Sequence, residues 1–184
     1  MNHWLVESVE APPTVEFKKK AAQTSPTGGA RYDMSQAVPS TPTPIALRRR
    51  LARQLTSDPD LSFYTDVPGL PELRARIAST HPLCDALGTD NIVITAGANH
   101  AMFTAFVLRF QAGDRVALLE PYYFNHDMAL RMLGMTPSYC PLPAESGFAL
   151  SASFVVERLA REAVKGVVLV RLCQIVFFVR EERA

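Results

Sequence analysis

The sequence predicts an α/β fold, a mainly parallel sheet with flanking helices, and three observations carry that expectation. From Asn91 onward, short β-rich runs alternate with stretches of helical periodicity. The runs Val116 to Leu119 and Val167 to Val170 are apolar throughout, as strands covered on both faces must be. Turn and capping residues punctuate the chain between these segments, which is the rhythm of βαβ units.

Residues 1–43 read as an extended, partly loose N-terminal arm. Pro12, Pro13, Pro26, Gly28, Gly29, Pro39 and Pro42 favour extended or turn backbone, and Lys18, Lys19 and Lys20 form a solvated charge run. Helical periodicity starts after Pro44, where Leu47, Leu51 and Leu55 share one face and Arg48, Arg49, Arg50 and Arg53 cover much of the rest. Asp58-Pro59 ends that helix. After the loop Phe63 to Gly69, Pro71 and Glu72 open a second helix whose apolar side is Leu70, Leu73 and Ile77, and His81-Pro82 stops it.

A strand is expected at Ile92 to Thr95, followed by a turn at Ala96-Gly97-Ala98 and a helix capped by Asn99. Met102, Phe103, Phe106, Val107 and Phe110 mark its buried face, with Gly113 as its C-cap. The strand Val116 to Leu119, a helix ending at Gly134, and the strand Thr136 to Leu142 follow. The prolines of that last strand argue for a sheet edge. Ser151 caps a helix bearing Val155, Leu159 and Ala163, and Val167 to Val170 is the fourth strand. A main domain over 44–170 and a divergent tail over 171–184 complete the division.

Composition narrows the function classes. Of 184 residues, 48% are hydrophobic, enough for a sizeable core. A net charge of +1 gives no reason to expect nucleic acid or an anionic membrane as partner. The most apolar stretch, Val164 to Val179, is broken by Lys165, Arg171 and Gln174, so no membrane span is expected. Cys84, Cys140 and Cys173 lack C-x-x-C spacing, which argues against a disulfide framework or zinc site and for a cytoplasmic location. His3, His81, His100 and His126 have no metal-ligand spacing. His126 is either a pocket residue or a plain helix-face histidine.

The segment Thr95-Ala96-Gly97-Ala98-Asn99 is where chemistry is expected. A small-residue turn that opens a helix presents backbone amides and the positive end of the helix dipole, and both attract a phosphate. A dinucleotide-binding domain would use the same device, with Glu120 on the ribose. Its second and third glycines, however, would fall on Asn99 and Met102, and the bulky Met102 sits where close packing needs a small residue. The turn at Pro26 to Gly29 lacks a P-loop frame.

Five segments then fall into a known order. Tyr64-x-x-x-Pro68-Gly69-Leu70-Pro71-Glu72-Leu73-Arg74 resembles the Y-x-x-x-x-G-x-x-x-L-R stretch of class I/II aminotransferases. The Thr95 to Asn99 turn resembles their cofactor phosphate loop. Gly113-Asp114-x-Val116 and Pro121-Tyr122-Tyr123 resemble their G-D-x-V and P-x-Y elements, and Ser35 to Pro39 is similar to their N-terminal substrate-side segment. The resemblance covers residues 31–170 and implies the N-terminal part of a fold-type I large domain, with pyridoxal phosphate as cofactor. It places Gly97, Ala98 and Asn99 on the phosphate and Tyr123 against the pyridine ring. It implies that Tyr64 reaches the phosphate of a neighbouring subunit in a homodimer. Ala37, where the family usually has glycine, falls near the substrate carboxylate. The implied substrates are an amino acid and a 2-oxo acid.

Transamination also needs a Schiff-base lysine, an acid beside the pyridine nitrogen and an arginine fork for the substrate carboxylate. In the family these lie beyond the position of Val170, as does an N-P-x-G turn. Here residues 171–184 read as non-family sequence, such as a frameshift, an alternative splice or a mispredicted exon, and the other reading is a genuine short family member. The lysines present are Lys18, Lys19, Lys20 and Lys165, and Lys165 is expected to be a solvated cation at a helix end. The expectation is therefore an aminotransferase fragment that is inactive alone. The other readings are a non-catalytic module that binds pyridoxal phosphate or a subunit, and the dinucleotide-binding domain.

Overall fold

The computed structural model describes residues 7, 9–24, 41–80, 88–160, 163–171 and 174–179. The chain forms two compact units, one of residues 31–95 and one of the remainder. Within the N-terminal arm, α1 (Pro13–Gln23) starts on a proline at its first position, where the missing N–H costs nothing. It carries an exposed Glu16–Lys20 pair one turn apart and buries none of its residues.

In the 31–95 unit, α2 (Ile45–Ser57) and α3 (Pro71–Thr80) stand where the periodicity predicts them. Asp58 closes α2 with its amide on the Gln54 carbonyl, 3.0 Å, and its carboxylate accepts the Asp60 amide that opens the next 3₁₀ turn. Leu47, Leu51 and Leu55 are all exposed. Gly69 has φ +101°, and a Cβ there would meet Ile94 Cγ1 at 2.5 Å, so only glycine fits this turn. The Ile94 amide donates to the Pro68 carbonyl, 2.9 Å, which latches 92–95 onto the same turn. Arg74 joins the turn to the next one, with Nε on the Gly69 carbonyl at 3.2 Å and Nη1 on the Thr89 carbonyl at 3.0 Å.

The strand expected at Ile92 to Thr95 does not form. The segment is extended but belongs to no sheet among the described residues. Its physical reason is visible at Ile94, whose amide is spent on the loop carbonyl of Pro68 and not on a ladder.

The second unit is built on a four-stranded sheet in the order β2-β1-β3-β4. Its strands are β1 (Arg115–Glu120), β2 (Thr136–Pro141), β3 (Gly166–Arg171) and β4 (Gln174–Val179). β1 pairs in parallel with β2 and β3, and β4 lies antiparallel on β3. β2 takes the expected edge, where Pro137 and Pro141 cost least.

Four successive residues of β1 sort alternately onto two cores. Val116 and Leu118 join Met102 and Phe106 of α4 (Ala98–Arg109) and Ala129 and Leu130 of α5 (Phe124–Met132). Ala117 and Leu119 join Cys140, Val164, Val167 and Val155 of α6 (Ala152–Ala160) on the opposite face. That two-faced burial is why β1 reads as an unbroken apolar run. Val107 is exposed, and only Met102 and Phe106 of the predicted α4 face are fully covered.

Two capping expectations shift. Gly97, with φ +87°, holds the N-cap position of α4 and Asn99 falls inside its first turn. At the other end Phe110 is the C-cap, and Gly113, with φ +91°, serves the following turn by donating to the Gly134 carbonyl at 2.8 Å. Ser151 does cap α6, its Oγ accepting the Phe154 amide at 3.4 Å.

Candidate functional site

The site assembles at the C-terminal end of the parallel strands. β1 ends at Glu120, and Pro121, Tyr122 and Tyr123 emerge there before α5 begins. α4 packs on the sheet and is joined to the start of β1 by a short turn, so its N-terminus points to that same end. Ligands of parallel α/β sheets bind at this rim.

Residues 96–100 are exposed. The N-cap of α4 is a glycine, which brings no side chain to the turn, and the first turn of the helix contains no acid. Around Gly97 nothing lies within 4 Å of where a Cβ would stand, so an anion can approach the backbone closely. The Ala96 amide donates to Nδ1 of His100 at 3.3 Å, which makes His100 an unforeseen member of the turn. Its spacing from Ala96, four residues, was the available signal.

Tyr123 is 44% exposed and held on three sides by the residues that follow it. Its ring tilts against Phe124 at 4.8 Å and meets the edge of His126 at 5.5 Å and 82°. Asn125 Nδ2 donates to its hydroxyl at 3.0 Å. An exposed aromatic wall thus stands on a supported turn.

His126 is buried, and neither ring nitrogen has a hydrogen-bond partner among the described residues. It lies on the buried face of α5. Burial pushes its pKa below the ordinary value of 6.5. The folded chain therefore holds His126 neutral while the unfolded chain takes up a proton below about pH 6.5. Its contribution is fully present above that pH and is lost as pH falls toward the folded value, by at most about 1.4 kcal/mol per pH unit. Urea midpoints at pH 7.5 and 5.5 should show this loss, and His126→Phe should reduce it. An equal loss in both chains would assign the acid sensitivity elsewhere.

Behind the site, Tyr139 of β2 donates to Asp127 Oδ1 at 2.6 Å and accepts from Arg131 Nη2 at 2.7 Å. Arg131 Nε closes the triangle on Asp127 Oδ2 at 2.8 Å. Tyr122 stacks on Tyr139 with centroids 5.5 Å apart and planes at 21°. The four-residue spacing of Asp127 and Arg131 was legible as a helix pair, but its tie to Tyr139 depends on strand pairing. Asp114 of the G-D-x-V element accepts the Gln111 amide at 2.9 Å and pairs with Lys165 at 3.2 Å. Lys165 is exposed, as a solvated cation would be, and also pairs with Asp114.

Tyr64 is fully exposed and belongs to the separate 31–95 unit. Ala37 lies outside the described residues. Among the described residues no cluster of His, Cys, Asp or Glu could hold a metal, and no helix is long and apolar enough to cross a membrane.

Comparison with known proteins identifies the family. The family profile "Aminotransferase class I and II" matches residues 32–174. The chain is 39% identical to the aromatic aminotransferase ISS1 of Arabidopsis thaliana over 84 residues, 46% of this chain and 21% of that protein. It is 28% identical to a probable aspartate/prephenate aminotransferase of Aquifex aeolicus over 172 residues, 89% of this chain and 41% of the relative. An aminotransferase crystal structure from Mycobacterium tuberculosis superposes with a TM-score of 0.73 at 27% identity, covering 89% of this chain and 42% of the other. The chain therefore spans at most about two fifths of these relatives.

Proposed function

Because the chain belongs to the class I and II aminotransferase family, we propose that it carries the cofactor-phosphate and ring-stacking half of a pyridoxal-phosphate site, whose complete relative moves an amino group between an amino acid and a 2-oxo acid. Two observations support this reading: a small-residue turn with Gly97 at φ +87° opens α4, and an exposed, supported tyrosine follows β1. The residues fit the group. Amides at Gly97, Ala98 and Asn99 would hold the phosphate in a turn where no Cβ intrudes. The Tyr123 ring offers a flat wall for the pyridine. Pyridoxal phosphate supplies an electron sink when bound, and these residues would anchor and orient it.

Tyr64 would contribute to the phosphate site of a second copy in a homodimer, and Ala37 would stand near the substrate carboxylate. A cytoplasmic location fits the buried Cys140, which is in no disulfide among the described residues. The dinucleotide-binding reading loses support, because Ile92 to Thr95 is not the sheet strand that such a turn requires. A non-catalytic module that binds pyridoxal phosphate would use the same turn and tyrosine.

Fluorescence titration with pyridoxal phosphate tests the site. Tyr123→Ala should weaken binding by on the order of 1 kcal/mol, about fivefold, through lost stacking. Unchanged affinity would remove Tyr123 from the site, and saturable NAD binding in place of pyridoxal phosphate would return the dinucleotide reading.

A further inference from the structure

Resting on the reading of Tyr123 as a cofactor wall, we propose that Tyr139, Asp127 and Arg131 are positioning residues that hold the Tyr122–Tyr123 turn in place through the ring stack of Tyr139 on Tyr122. Tyr139 sits in β2, opposite Leu118 of β1, so its ring is anchored to the sheet. Asp127 and Arg131 lie one turn apart on α5. Their three contacts of 2.6, 2.7 and 2.8 Å close a ring of charge-assisted hydrogen bonds that locks helix to strand. Burial and the Asp127 carboxylate push the Tyr139 phenol up to about 12, so it stays a donor throughout the neutral range.

The stack transmits this rigidity to the site. Tyr122 is partly buried against the core and lies at 21° to the Tyr139 ring. Tyr123 follows it directly and faces outward. Fixing the inward ring fixes the backbone from which the outward ring projects, while Phe124 and His126 limit the ring itself. Without the stack, Tyr123 would still be present and still exposed, but its plane would wander.

The test uses the full chain with a reporter at position 123. In a Trp4→Phe, Tyr123→Trp background the indole is the single tryptophan. Acrylamide quenching and fluorescence anisotropy then read its mobility without any ligand. Tyr139→Leu should raise the quenching constant about twofold or more, and Tyr139→Phe, which keeps the ring but loses the hydrogen bonds, should raise it less. Val155→Ala, in the core on the opposite sheet face, should leave it unchanged despite lost stability. If Tyr139→Leu fails to fold, Tyr122→Leu removes the other half of the stack and should give the same rise. No rise in either leucine variant, or an equal rise in Val155→Ala, overturns the proposal. A parallel pyridoxal phosphate titration with Tyr123 restored separates the two ideas. If the unsubstituted chain binds none, the cofactor reading fails, while the mobility result still decides the positioning role.

Discussion

Treated with pyridoxal phosphate and then borohydride, the 184-residue chain should gain no label at Lys165 above that at Lys18, Lys19 and Lys20, and it should show no transaminase turnover. The reason is geometric. Lys165 precedes β3, and its amide bonds the Arg115 carbonyl at the start of β1. Tyr123 lies beyond the end of β1. Six strand residues at roughly 3.3 Å each put about 20 Å between the two ends, well beyond the reach of a lysine side chain. The ammonium is also engaged by the buried Asp114 carboxylate at 3.2 Å. Covalent holding of the cofactor and movement of the α-proton both need an amine at the ring, so the expected deficit against a complete enzyme is at least about a million-fold. Mass spectrometry of the reduced adduct and a coupled 2-oxo acid assay read the two outcomes. Selective labelling of Lys165, with turnover abolished by Lys165→Ala, would refute the argument.

Much of this site was legible because it depends on local sequence. The apolar run of β1, the small residues around Gly97 and the proline-bounded aromatic pair each declare a strand, a turn or a wall by residue type alone. The order of five such segments then specified the family, which the match over 32–174 supports. What stayed hidden depends on pairing between distant segments. Ile92 to Thr95 has strand composition, yet the Pro68 carbonyl claims its amide. Nothing in the composition could decide between loop and ladder as partner. The burial of His126 likewise follows from how α5 lies on the sheet, and a single histidine carries no periodic signal. Arg74 looked like the last letter of a motif, and the structure makes it a tie between two turns, 3.2 and 3.0 Å from their carbonyls.

The sheet itself sets up the other large effect, which is self-association of the expressed chain through β4. The two edges of the sheet differ sharply. On β2, Pro137 and Pro141 remove backbone donors, and such prolines block the addition of a further strand. On β4 the sequence Gln174-Ile175-Val176-Phe177-Phe178-Val179 holds no proline and no charge. β3 pairs with one side of β4, and the other side has no strand partner among the described residues. An apolar, β-rich, uncharged edge is a template for another chain. Two copies of β4 meeting antiparallel would satisfy both rows of backbone groups at once, as a two-fold contact does. Sedimentation over roughly 1–100 μM should show concentration-dependent association or loss to precipitate. Successive amides of a strand point alternately to its two sides, so Val176→Pro and Phe177→Pro strike opposite edges of β4. One of the two should keep the β3 pairing and remain monomeric, and the other should disrupt the sheet. A wild-type chain that stays monomeric throughout that range, with strongly protected amides at Val167 to Val170, would rule out the open edge as a source of association.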